Sequence, residues 1–361
     1  MANETADPEK LKLFSFGVFS HLSGAVTSGM IHLGDRLGIY KELAVHSGVT
    51  STELAERLNL HERWIREWCS NQVAAKIIAA NFESGETLFS LSAEGKAVLA
   101  DDAHPAFGMG MFHRLPATME RLSDLPASFQ SGLGFDYDTH GHEGAVGIER
   151  SFEPWSNAFL VPVVLPSVSG LVERLREGIR VADIGCGAGS AVLLMAAAFP
   201  QSEFVGYDIS EHALERAREK AVSACLSNVR FVNPRDEKLP SDHSVDFVTT
   251  FDCLHDMTRP REMVKSIHTM LRASGVWLLV DIKALDTLQE NVQKNPMAAL
   301  MYGISVLSCM ASALSEPDGE GLGTLGLSAR RAEEYALLAG FSTFNQLDVT
   351  HSVNAFYEVR P

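Results

Sequence analysis

Apolar positions along this chain change their spacing twice. From Phe14 through Phe16, Phe19, Leu22 and Val26 to Ile31, Leu33, Leu37 and Ile39 they recur at helical rather than alternating intervals. Thr50-Ser51-Thr52-Glu53 then supplies a capped helix start, Leu54, Ala55 and Leu58 form one apolar face, and Asn59 to His61 make a turn. Trp64, Ile65, Trp68 and Val73 form a second face, and Leu88-Phe89-Ser90-Leu91 followed by Ser92-Ala93-Glu94-Gly95 reads as a wing strand and a closing helix. Together these predict a mainly helical, winged-helix amino-terminal region.

Beyond Leu171 the pattern turns into short apolar runs separated by helical segments. Val181–Ile184, Phe204–Ile209, Asn228–Val232, Ser244–Phe251 and Gly275–Asp281 read as strands, with helices from Ser190 to about Phe199 and from Glu211 to about Ser223. The tail, Phe341 to Asp348 and Val353 to Val359, alternates around Thr350-His351-Ser352 and suits a closing antiparallel pair. The fold class expected is α/β.

The first of those strands ends in Asp183-Ile184-Gly185-Cys186-Gly187-Ala188-Gly189-Ser190. Glycines let such a loop turn tightly and approach a ligand, and the following helix offers free N–H groups. A dinucleotide site would require G-x-G-x-x-G with an apolar residue at position 183. Here the loop is G-x-G-x-G, Ser190 replaces the third glycine and Asp183 is acidic, so a cationic ligand suits the site better than a diphosphate. Nineteen residues past Gly189, Asp208 ends the second strand, where a carboxylate can accept ribose hydroxyls.

These residues resemble motif I and the acidic second strand end of the class I S-adenosylmethionine (SAM)-dependent methyltransferases. The resemblance covers roughly Leu171 to Val359 and implies a Rossmann-like seven-stranded sheet with an antiparallel final hairpin. It implies cofactor contacts at Asp183, Gly185, Cys186, Gly187, Gly189, Asp208 and Ile209, with Asp236 in the adenine-contacting loop and Phe251 and Asp252 at the methionine end. In the usual register Arg235, not Asp236, falls on the acidic position. His255-Asp256 resembles the His-Asp pair of plant and bacterial O-methyltransferases, which makes His255 the candidate general base and Asp256 a candidate to orient it; Met257 stands where those enzymes usually carry Trp. The amino-terminal region resembles the dimerisation domain of small-molecule O-methyltransferases and implies a homodimer. A small, rather apolar acceptor methylated on oxygen is the expected substrate.

Composition narrows the alternatives. With 361 residues and 46% hydrophobic content, the chain can bury one large core and a smaller second one. The divisions expected are a winged-helix domain at 1–100, a helical connector at 101–170 that walls a substrate pocket, and a SAM domain at 171–361. A net charge of −16 makes nucleic acid a poor bulk partner, and residues 1–100 carry 9 Lys/Arg against 12 Asp/Glu. A SAM-sensing winged-helix regulator and an NAD-dependent oxidoreductase are the competing readings. Five cysteines without a C-x-x-C pair fit a reducing, cytoplasmic setting with no metal centre, and the polar, acidic Met1 to Lys10 lacks the order of a targeting peptide. The uncharged run Met297–Leu314 reads as a buried helix rather than a membrane span, with Met297, Leu300, Met301, Ile304, Leu307, Ala311 and Leu314 mostly on one face. His140-Gly141-His142-Glu143, among glycines, reads as a solvated loop.

Overall fold

The computed structural model describes residues 6–83 and 85–361, so the first five residues of the polar leader segment lie outside the described ones. The chain divides into two compact units, Met1–Pro116 and Ala117–Pro361.

The first unit opens with a 29-residue helix, Pro8–Arg36. Asp7 caps it, accepting from the Glu9 and Lys10 N–H groups at 2.9 and 3.3 Å, and Pro8 occupies the first turn, where a missing N–H costs nothing. Helices Ile39–Val45, Ser51–Leu58 and Glu62–Ala74 follow, then the antiparallel wing strands β1 (Ala79–Asn81) and β2 (Leu88–Ser90) and helix Ala93–Leu99. The capping box expected at Thr50 is present in both directions. Trp68 is buried, donates its Nε1–H to the Met30 carbonyl at 2.8 Å and meets the Tyr40 ring edge to face at 5.2 Å. A Cβ at Gly34 would lie 2.5 Å from Trp68 and 2.6 Å from Tyr40, so only glycine lets the long helix approach this pair. Within the chain, Trp64 is 78% exposed, and Leu13, Phe14, Phe16 and Phe19 on the long helix are 67–79% exposed.

The second unit is built on a seven-stranded sheet. Its strands are β3 (Arg180–Ile184), β4 (Glu203–Tyr207), β5 (Val229–Val232), β6 (Val245–Phe251), β7 (Leu271–Ile282), β8 (Thr343–Gln346) and β9 (Asn354–Arg360). They run in the order β5-β4-β3-β6-β7-β9-β8; β3 to β7 are parallel, and β9 is antiparallel to both β7 and β8. Val181, Ala182, Phe247, Val248, Leu278 and Leu279 are all essentially inaccessible, as expected of a sheet covered on both faces. Strand order reverses between β3 and β6, and the crevice at such a reversal is where open α/β sheets bind ligands.

Residues 117–170 are part of this second unit rather than a separate connector. Helix Gly141–Phe159 packs on helices Ser190–Ala198 and Glu211–Ser223. Its Glu149 is buried and accepts from Arg216 Nε at 2.7 Å and Lys220 Nζ at 3.1 Å. Two cations on one buried carboxylate tie the segment to the sheet layer more firmly than its composition suggests.

The single helix expected over Met297–Leu314 is two, Ala298–Leu307 and Cys309–Ala313, broken at Ser308 (φ −143°, ψ −83°). Most of the buried face is also different. Ala311 is buried as expected, but Ala298, Ser305, Ser312 and Ala313 are buried with it, while Met297 and Leu300 are 45% and 50% exposed. Small side chains win that face because backbone packs directly against it: Gly134 and Phe135 donate to the Leu314 and Ala311 carbonyls at 2.8 and 3.1 Å. Among the described residues no single helix is long and apolar enough to cross a membrane.

Candidate active site

The glycine loop leaves β3 at the strand-order reversal. Gly185 has φ +70°, and a Cβ there would lie 2.6 Å from the Cys253 Cβ, so the position excludes side chains on two grounds. The Gly185 and Cys186 N–H groups donate to the Tyr207 carbonyl at 2.8 and 3.0 Å, which fixes the loop to the end of β4. Gly189, also in the left-handed region, opens helix Ser190–Ala198.

Two buried carboxylates flank this loop. Asp183 is 1% exposed; its Oδ1 accepts from the Thr249 hydroxyl at 2.6 Å, and its Oδ2 is buried without a partner among the described residues. Burial pushes its carboxyl up to about 7, against the Thr249 hydrogen bond and reinforced by Asp208. Asp208 accepts from the Gly187 N–H at 2.7 Å and the Ser210 N–H at 2.8 Å. Burial raises its carboxyl too, with those backbone bonds opposing. Each carboxylate oxygen retains acceptor capacity after one such bond, so Asp208 can still receive hydroxyls.

Facing the loop is a cavity lined by Tyr137, His140, Ala145, Gly187, Ala188 and Ser210, among others. Its outer wall is the expected solvated loop, which is a 3-10 turn, Tyr137–His140, running directly into helix Gly141–Phe159. Polar contacts hold that turn in place. The Ser210 hydroxyl donates to Asp138 at 2.6 Å, Arg235 pairs with Asp136 at 2.5 Å, and His140 Nε2 lies 3.0 Å from the Ser308 hydroxyl. Tyr137 and His140 were not among the residues expected at the site. The glycines around His140 suggest a loop, yet two of them sit in close packing instead: a Cβ at Gly144 would lie 2.7 Å from His140, and one at Gly134 would lie 1.8 Å from the Ala311 carbonyl oxygen.

Ile209 is half-buried beside Asp208, and Cys186 is buried in the loop. Asp236 sits on an exposed turn after β5, its N–H donating to the Asn233 carbonyl at 3.0 Å. The buried polar group at that strand end is Asn233, which donates to Glu211 at 2.7 Å and accepts from the Arg235 N–H at 3.0 Å.

On the other side of the reversal, Phe251 is half-buried at the end of β6. Asp252 adopts φ +48° and accepts a side-chain hydrogen bond from Asn354 at the start of β9. Burial and then the Asp281 charge push its carboxyl up to about 8, with His255 and Asn354 opposing. His255 lies in the turn Leu254–Asp256 and is 3% exposed. Its Nδ1 is 2.6 Å from Asp281 Oδ1, so its carboxylate partner is Asp281 at the end of β7, not the neighbouring Asp256. The parallel register that sets Phe251 against Val280 brings Asp281 to the same end of the sheet. Burial alone would lower the imidazole's proton affinity, but Asp281 and Cys309 outweigh it and hold the group well above its ordinary 6.5.

Two family profiles match the chain: Methyltransferase domain over residues 175–325 and Rv2258c-like winged HTH domain over residues 25–101. An uncharacterised methyltransferase of Bacillus subtilis, YcgJ, is 34% identical over 103 residues, which is 28% of this chain and 40% of that protein. Demethylmenaquinone methyltransferase of Geobacillus kaustophilus is 28% identical over 110 residues, 30% of this chain and 47% of that protein. The matches therefore span less than half the length of either relative. Among solved structures, human N-acetylserotonin methyltransferase in complex with SAM aligns over 100% of this chain and 99% of its own at TM-score 0.69 and 14% identity. Mitomycin 7-O-methyltransferase MmcR aligns over 98% and 99% at TM-score 0.69 and 17% identity. At such identities the likeness is one of fold. The chain thus joins an amino-terminal Rv2258c-like winged helix-turn-helix domain to a methyltransferase domain with the class I SAM-dependent methyltransferase fold.

Proposed function

We propose that this protein transfers a methyl group from SAM to a small, rather apolar acceptor, with oxygen as the methylated atom. The observation that carries the reading is the pairing of a glycine loop with two buried carboxylates, one of which, Asp183, keeps an unpartnered oxygen. An uncompensated buried acceptor is costly, and a cationic ligand with N–H donors relieves it. SAM, which carries an ammonium and a sulfonium, has that chemistry; NAD, with its diphosphate, does not.

In this reading Asp208 receives the ribose hydroxyls, and Gly185, Cys186, Gly187, Gly189 and Ile209 shape the adenosine cradle. Asp236 reaches the adenine edge, while Asp183, Phe251 and Asp252 bound the methionine end. Tyr137 and His140 close the cavity from outside. When bound, SAM supplies a methyl carbon made electrophilic by its sulfonium. The protein's part is then to hold the acceptor in line, exclude water and take one proton. His255 is the proton acceptor in this scheme in its neutral form, which Asp281 disfavours, so turnover should rise with pH; Asp281 also orients the ring and balances the charge it gains.

The regulator reading draws support only from the winged-helix match. In helix Glu62–Ala74, Arg63 pairs with Glu67 at 2.5 Å and Arg66 with Glu62 at 3.3 Å, so the cations that would meet phosphate are already neutralised. The apolar, exposed long helix instead fits a second copy of this chain, and we take a cytoplasmic homodimer as the working assembly. The test is a methyl-transfer screen with labelled SAM against phenolic and other hydroxylated acceptors. His255→Ala should lower turnover by about a hundredfold or more while leaving SAM affinity within about twofold. Full activity in that variant would remove His255 from the chemistry.

A further inference from the structure

We propose that Arg235 sets how long SAM stays bound: through Asp136 it holds the turn Tyr137–His140 over the cavity that faces the glycine loop, and the cofactor leaves when that turn lifts. Arg235 is thus a positioning residue that acts through the turn and not on the ligand. The inference rests on the SAM reading of the loop and adds a residue to which that reading gives no part.

The cavity, of about 320 Å³, has Gly187, Ala188 and Ser210 on one side and Tyr137, His140 and Ala145 on the other. Upstream, backbone anchors the second wall, the Gly134 and Phe135 N–H groups donating to the Leu314 and Ala311 carbonyls at 2.8 and 3.1 Å. Downstream, Gly141 has φ +64° and ψ −168°, a conformation that glycine adopts freely, and a Cβ there would meet nothing within 4 Å. Between these two points side chains fasten the wall: Asp136 to Arg235 at 2.5 Å, Asp138 to the Ser210 hydroxyl at 2.6 Å and His140 to the Ser308 hydroxyl at 3.0 Å. Asp136 also caps the turn, accepting from the Asp138 N–H at 2.9 Å, so the pair with Arg235 grips the residue that shapes it. A short turn fastened by side chains and followed by a glycine can open as one piece.

Arg235 is itself placed from the cofactor side. Its N–H donates to Asn233 at 3.0 Å, and Asn233 donates to the Ile209 carbonyl at 3.4 Å and to Glu211 at 2.7 Å. The guanidinium therefore joins the strand end that carries Asp208 to the wall opposite it. The two side chains are 51% and 41% exposed, so water screens the pair and its loss is felt as a few-fold change in a rate, not as the large effect of a buried contact.

The test combines release of tritiated SAM, chased with unlabelled SAM, with amide hydrogen exchange of residues 136–140 in the ligand-free full-length protein. Arg235→Ala and Asp136→Asn should each speed SAM release about threefold to fivefold and speed exchange across the turn. Asn keeps the capping oxygen and removes only the charge. The double variant should go no further than either single one, because both changes remove the same contact. Exchanging the charges, Arg235→Asp with Asp136→Arg, should recover much of the wild-type rate, which a mere loss of packing would not allow. Unchanged exchange in both single variants, or faster exchange with unchanged SAM release, would overturn the proposal. Wild-type protein that binds no SAM would overturn the SAM reading and the retention role with it; exchange, read without ligand, separates that failure from a failure of the Arg235–Asp136 contact.

Discussion

Asp183 and Asp208 show how single residues set the chemistry. Asp208 is expected to accept the ribose hydroxyls, so Asp208→Ala should weaken SAM binding by about tenfold to a hundredfold in calorimetric titration. Asp183 makes a prediction about pH. Its carboxyl is raised to about 7 in the free protein, so in the folded state it is largely neutral at pH 6 and ionised at pH 8. A cation is held by the ionised form, so SAM should bind more tightly at pH 8 than at pH 6; weaker binding at pH 8 would contradict the assignment. The sign for stability is the reverse. Between about 4 and 7 the folded protein binds this proton while the unfolded chain has lost it, so Asp183 lowers the stability of the ligand-free protein as pH rises through that window. Much of this residue-scale picture was legible beforehand, because a glycine loop and strand-end acids are local in sequence. The Asp281 partner of His255 was not. It lies 26 residues away, and only the β6–β7 register joins them, whereas Asp256 is merely adjacent in sequence.

At the scale of elements, alternating short strands and helices predict the sheet well, since buried parallel strands leave continuous apolar runs. The misreadings came where burial is decided by neighbours. Met297–Leu314 looked like a helix with its large residues inward, but backbone contacts from Gly134 and Phe135 demand a small-residue face. The glycines near His140 looked like a loop because composition cannot tell a turn from a closely packed helix. The helix they begin, Gly141–Phe159, depends on Glu149 meeting Arg216 and Lys220. Removing that carboxylate takes Arg216's only carboxylate partner among the described residues and leaves Lys220 with Glu153 alone, so Glu149→Ala should destabilise the second unit by about 3 kcal/mol, visible as a lower urea midpoint. An unchanged midpoint would mean that water satisfies Arg216 as well as Glu149 does.

For the whole molecule, the feature that a single chain leaves unexplained is the long helix Pro8–Arg36, with aromatic side chains exposed along it. Exposure of this extent is more than isolated surface apolar residues account for and is the observation behind the homodimer proposal. Replacing Phe16 and Phe19 together with Glu should convert a dimer to a monomer in sedimentation; a wild-type protein that is monomeric at micromolar concentration would end the homodimer proposal. The central claim, that the loop between Asp183 and Asp208 binds SAM, is reached most directly by titrating the purified protein with SAM and, separately, with NAD in a calorimeter. The account predicts saturable SAM binding that is lost or strongly weakened in Asp208→Ala, and no NAD binding. NAD binding without SAM binding would contradict it.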